Sequence, residues 1–310
     1  MSILNFRRKP APADAPVDAT LAHFLEGHSI EVMPRTAAKI ENLADHLAPG
    51  TRVYIAHIEG TPIEDMVTTA ARIRAEGFEP MPHFPARIIK DRATLADWID
   101  RYQSEADVKQ GLILAGGVAD PVGDFDSSMQ LLDTGLFETA GFTRLHVAGH
   151  PEGNRDIDTD GSMKIVTEAL LWKQKYAETS SADMAIATQF AFEAAPIIDW
   201  VDSLQQQGIT LPVHIGIAGP AKLQTLIKFA IACGVGPSLK VLQKRAMDVT
   251  KLLLPYEPTE VLSDLAAHKA AHPDFGIEQV HFFPLGGIKT NAAYAALHMN
   301  TDSQTADIQG

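Results

Sequence analysis

Eight short apolar runs, each closing on polar or glycine-rich residues and followed by a longer amphipathic stretch, organise this chain. They cover residues 29–33, 52–58, 79–84, 111–117, 144–150, 184–189, Val213–Ala218 and 280–285. Runs of this length between turn signals read as buried strands, and the stretches between them as helices. Strands alternating with helices build a parallel sheet, either closed into a barrel or open and doubly wound. The count of eight favours the closed form, a (β/α)8 TIM barrel of the α/β class. The open form loses further ground because no Gly-x-Gly-x-x-Gly follows the first run.

Between the runs, residues 63–76 follow Thr61-Pro62, a start signal that places proline at the first helical position. Residues 95–102 have the same helical character. Residues 221–233 space Leu223, Leu226, Ile227 and Ala230 along one helix face. The stretch 237–273 is long enough for more than one helix before the last strand. Residues 1–20 are rich in Ala, Pro and Asp without periodicity and read as an arm. Residues 21–300 then form the single barrel domain, with 301–310 as a tail.

The formal net charge of −13 argues against nucleic acid or an anionic membrane as the partner. With 45% hydrophobic residues, a large core is expected. No apolar stretch reaches bilayer length, and no hydrophobic signal core follows Arg7, Arg8 and Lys9, so a cytoplasmic protein is expected. Cys233 is the single cysteine, in an apolar setting that favours an inert thiol over a nucleophile.

Barrel active sites gather at the C-terminal ends of the strands. Those ends offer Glu31, His57, His83, Arg87, Gly117, Asp120, His150, Glu152, Asn154 and Gln189, with glycines at 216, 219, 286 and 287. Glu31, between Ile30 and Val32, is the most informative. An isolated inward carboxylate would have a raised pKa and could donate a proton at neutral pH; pairing with Arg35 would make it structural instead. His57, His83 and His150 could form a metal site, but no His-x-His pair stands on one strand, and no metal is expected. Glycines at strand ends approach phosphate or simply form turns.

Taken in order, these residues resemble methylenetetrahydrofolate reductase over roughly residues 29–235. The resemblance rests on Ser29-Ile-Glu31-Val-Met-Pro34, Pro82-His83, Asp120-Pro-Val-Gly-Asp124, Val147-Ala-Gly-His150-Pro-Glu-Gly153, the helix 168–175 and Ala187-Thr-Gln189-Phe-Ala-Phe192. It implies interconversion of 5,10-methylenetetrahydrofolate and 5-methyltetrahydrofolate with NADH or NADPH, through FAD. Glu31 would be the general acid, Asp120 would face pterin and flavin, and Gln189 would bind folate. His57, His83, Gly117, Asp120, His150, Asn154 and Lys175 would line the cofactor groove, with Lys175 on phosphate. The sequence departs from the family at Gly116-Gly-Val-Ala-Asp120, where Arg-Gly-Asp is usual, and at Ala56-His57-Ile58, where Thr-Tyr-Gly is usual. These departures keep a flavin-independent reductase in view. A metal-dependent barrel lyase or hydrolase and a folate-binding module without turnover stay open as well, as does association into a homo-oligomer.

Overall fold

The computed structural model describes residues 19–234, 236–246 and 255–299. Eight parallel strands close into one barrel in chain order: β1 (Ser29–Val32), β2 (Arg52–Ile55), β3 (Glu79–Pro85), β4 (Gln110–Leu114), β5 (Arg144–Gly149), β6 (Asp183–Ala191), β7 (Val213–Ala218) and β8 (Ile277–Phe283). Ser29 and Ile30 close the ring against His281 and Phe282. Each expected run overlaps one strand, with β8 beginning three residues before its run, and the fold is the expected TIM barrel. β2 and β4 stop at Ile55 and Leu114, which leaves His57 and Gly117 on loops.

The helices are α1 (Ala19–Leu25), α2 (Pro34–Ala37), α3 (Ile63–Ala75), α4 (Arg92–Ala106), α5 (Ser128–Asp133), α6 (Leu136–Thr139), α7 (Lys164–Ala177), α8 (Ala194–Gln206), α9 (Leu223–Ala232), α10 (Gly236–Ala246), α11 (Thr259–Ala271) and α12 (Ile288–Met299). On α3, Met66, Val67, Ala70 and Ile73 form the buried stripe of an amphipathic helix. Pro62 is its N-cap rather than its first helical residue. Asp91 caps α4 by accepting from the Thr94 backbone N–H, and Asp107 ends it in the left-handed region at φ 45°.

Outward strand residues such as Ile30, Val53, Val147, Ile215 and Phe282 pack with the helix stripes in one apolar layer. Each such side chain contributes roughly 1.5–3 kcal/mol by leaving water. α10 and α11 are the expected extra helices before β8. α11 packs on α1 and α8 as part of the wall. α9 and α10 instead sit on the C-terminal ends of β6 and β7, around Phe190, Phe192, Ala218, Leu226 and Leu242. The stripe expected over 221–233 is present, but it faces this second cluster.

Of the arm expected over 1–20, residues 1–18 lie outside the described residues, while Ala19 and Thr20 open α1. The 301–310 tail also lies outside them. Among the described residues no helix is long and apolar enough to cross a membrane.

Candidate active site

Barrel lumens of this type are ordinarily filled with branched aliphatic side chains. This one is not. Ser29, Tyr54, His83, His146, His214 and His281 are all buried, and they alternate along their strands with the residues of the apolar wall. Glu31 lies at the upper end of this polar column. Its Oε2 is 3.2 Å from His83 Nε2 and 3.8 Å from His281 Nε2. The His83 contact is close but off the hydrogen-bond axis, so that nitrogen is buried without an aligned partner. His281 Nδ1 meets Ser29 Oγ at 3.0 Å, and Tyr54 OH meets His146 Nδ1 at 2.5 Å. The His146 and His214 rings touch edge to face, and His214 Nε2 reaches Glu278 Oε2 at 2.8 Å.

Glu31 is therefore neither isolated nor paired with Arg35, and the expected rise in its pKa is corrected. Desolvation pushes the carboxyl up, but the His281 and His83 imidazoles beside it outweigh that and hold it down at about 2. Burial pushes His281 down, against the opposing pull of Glu31. The unit at the head of the lumen is a carboxylate clasped by two imidazoles.

At the opposite mouth, Arg52 donates to Gln110 and Gln279, both at 2.9 Å, and Gln110 donates to Glu79 at 3.0 Å. Beside this half-floor a cavity of about 310 Å³ opens, lined by Arg144, His146, Asp183, Met184, Ala185 and Glu278.

Of the residues expected from the sequence, Glu31 and His83 come together. Gln189 lies nearby under the α9–α10 cover, and its amide donates to the Cys233 carbonyl at 3.1 Å. A bulge in β6 sets this position. Thr188 Oγ accepts from Gly216 N at 2.8 Å, and a Cβ on Gly216 would lie 2.4 Å from the Thr188 carbonyl. Burial raises the Cys233 thiol to about 11, with a further push from the Glu31 charge, so it is inert as expected.

The remaining residues do not converge. His57 donates to the Thr61 carbonyl and stacks on Trp98 at 4.9 Å. Asp120 is exposed and makes no hydrogen bond or ion pair among the described residues. Its loop is laced to the turn after β3 through Val122 N to Arg87 O and Asp124 N to Lys90 O, and Gly123 lies too close to Lys90 for any Cβ. Gly117 faces open space, and the Asn154 side chain is used within its own turn by Asp156 N. Lys175, expected as the phosphate ligand, is exposed on α7. No group of three or more His, Cys, Asp or Glu among the described residues is arranged to hold a metal ion.

Sequence reasoning missed Lys173, two positions before Lys175. It is 5% exposed and makes no hydrogen bond or ion pair among the described residues. Burial lowers it to about 8. Burial, with Lys173 adding to it, lowers the neighbouring His150 to about 4. Asp158, which pulls His150 the other way, spends its carboxylate on Ile165 N and Val166 N at the start of α7. A base whose folded pKa lies below its ordinary value destabilises the fold fully below the folded pKa, and the penalty fades as pH rises toward 10.5. Lys173→Met should therefore raise stability at pH 7 by on the order of 3 kcal/mol, measured by urea unfolding, with the gain shrinking above pH 8. A loss of stability would mean that the ammonium is paired.

The chain is thus a (β/α)8 barrel with a histidine-lined lumen and a carboxylate at its head. No protein-family model matches it. Among solved structures it is similar to an uncharacterised protein from Clostridium thermocellum that binds two copies of 5-methyl-5,6,7,8-tetrahydrofolic acid. The TM-score is 0.54 at 9% identity, over 90% of this chain and 97% of that one. The carboxyl transferase domain of Rhizobium etli pyruvate carboxylase, with pyruvate and biocytin, aligns over 97% of this chain and 60% of that one. Its TM-score is 0.39 at 10% identity, too low to carry an argument. At these identities the likeness is one of fold.

Proposed function

We propose that the chain binds a tetrahydrofolate derivative at the C-terminal mouth and interconverts its 5,10-methylene and 5-methyl forms, with NADH or NADPH as hydride donor. The observation that carries this reading is Glu31, clasped by His83 and His281 where the resemblance expects the general acid. The folate-binding neighbour of the same fold supports the ligand class. Ile58, Val122 and Ile165, exposed on the loops and helix start that follow β2, β4 and β5, offer apolar contacts to an aromatic ring system.

Ring opening of the methylene compound needs a proton on the departing amine nitrogen. Glu31 is the group placed to pass it. When the pterin covers Glu31 and excludes water, the carboxyl pKa rises, and a proton taken up by Glu31 passes to the nitrogen. The nicotinamide supplies hydride to the resulting iminium carbon. The Gln189 carbonyl oxygen remains available to a pterin donor while its NH2 stays on Cys233.

The residues that the resemblance assigns to FAD fit it poorly: Lys175 and Asp120 are exposed, and Asn154 and His57 are committed to their own loops. Hydride transfer direct from nicotinamide, with no flavin between, is the form proposed. Purified protein should oxidise NADH or NADPH only when methylenetetrahydrofolate is present, at a rate unchanged by added FAD. Absence of both folate binding and folate-dependent oxidation would sink the reading; a strict need for FAD would restore the flavin.

A further inference from the structure

We infer that the polar column in the lumen is a proton relay, carrying protons from the cavity at the N-terminal mouth to Glu31 at the other end of the barrel. This rests on the reading of Glu31 as the proton-donating group. The contacts run without an aliphatic break. Glu31 faces His281 Nε2 at 3.8 Å, and His281 Nδ1 meets Ser29 Oγ at 3.0 Å. Ser29 bears on the Tyr54 hydroxyl, the Tyr54 ring packs on His281 at 4.2 Å, and its hydroxyl meets His146 Nδ1 at 2.5 Å. His146 lines the cavity of about 310 Å³. There His214, edge-on to His146, is held by Glu278, whose side chain is 59% exposed and faces solvent.

Every member between the ends is a hydroxyl or an imidazole, groups that can accept a proton on one side while donating on the other. When Glu31 has given its proton to substrate, it takes one from His281 Nε2 once their 3.8 Å separation closes to hydrogen-bond length. His281 Nδ1 takes the Ser29 proton, Ser29 takes that of Tyr54, and Tyr54 takes that of His146 Nδ1. His146 Nε2 then takes one from cavity water. Each hop breaks one N–H or O–H bond and makes another, so one proton leaves the cavity and one reaches Glu31. The transfer has to be concerted at Tyr54, because burial and the Glu31 charge push its ionisation far up. The charged groups that bear on the column are Glu31 and His83 above, and Arg144, Asp183, His214 and Glu278 below. A route from below has a purpose: the α9–α10 cover and a bound pterin would both close Glu31 to water from above.

Tyr54→Phe removes one oxygen and keeps the ring that packs on His281 at 4.2 Å. In the full-length protein with ring-15N histidine, exchange of the His281 ring N–H with water should slow by about tenfold or more. His146→Gly should slow it likewise, and added imidazole, small enough for the lower cavity, should restore it. Steady-state turnover should fall in parallel, with folate KM kept and the solvent deuterium effect on kcat increased. Unchanged exchange in Tyr54→Phe would overturn the relay, whatever the protein binds. Failure of the wild type to bind folate would overturn the proposed function instead, and the exchange measurement would still judge the relay.

Discussion

Mild acid is expected to unfold this protein, with a midpoint between about pH 5 and 6, where a barrel with an aliphatic lumen would stay folded. The cause is the number of histidines that the fold keeps neutral. His28, His57, His146, His150, His214 and His281 all have pKa values lowered, in each case chiefly by burial. The unfolded chain takes up these protons near pH 6.5, while the folded chain resists until lower pH. Above 6.5 they cost the fold nothing; as pH falls the penalty grows and is complete at the folded values, which for His150 is about 4. Each group contributes a slope of up to about 1.4 kcal/mol per pH unit once unfolding would protonate it. His146, His214 and His281 interact and do not simply add, but even half of the six-fold slope exhausts a stability of roughly 5–15 kcal/mol within a few pH units. Thermal melts followed by circular dichroism from pH 8 to pH 4 test this. A melting temperature flat between pH 7 and pH 5 would mean that water or rearrangement already solvates the column.

The barrel was legible because both faces of its strands are buried, so each strand shows as an apolar run whatever lies beneath it. Glu31 was legible for the complementary reason: one charged residue between Ile30 and Val32 stands out. The same test applied along whole strands finds Tyr54 between Val53 and Ile55, His146 between Leu145 and Val147, His214 between Val213 and Ile215, and His281 between Val280 and Phe282. Strand ends, where barrel chemistry is usual, do not reveal these residues, because the column lies deeper. The pKa of Glu31 escapes a local reading for a related reason, since its partners arrive from β3 and β8, about 50 and 250 positions away. Lys173 and Lys175 lie on one helix two positions apart, about 200° around its axis. One is buried and the other exposed, and which of them faces the barrel depends on the docking of α7, which motif spacing does not encode.

Glu31→Gln is expected to lower folate-dependent turnover by about two orders of magnitude or more while leaving folate binding in place. Glutamine keeps the length and planar shape of the side chain and can still meet His83 and His281, so the mouth of the lumen should hold its geometry. It cannot carry the proton that ring opening needs. The substitution also removes a charge that the fold uses. With the carboxyl held at about 2, the ionised form stabilises the protein above pH 4.5, and that contribution is lost as pH falls toward 2. It is on the order of 3 kcal/mol at neutral pH, and the amide keeps the contacts without the charge. A lower melting temperature is therefore expected, and the turnover comparison belongs at a temperature where both proteins are folded. Without its counter-charge, His281 should bind a proton less readily, so acid should not rescue the variant. Three readings separate on the data. Lost turnover with retained binding supports Glu31 as the group that passes the proton. Lost binding makes it a substrate ligand. Near-normal turnover removes it from the reaction and leaves the two imidazoles as the proton source.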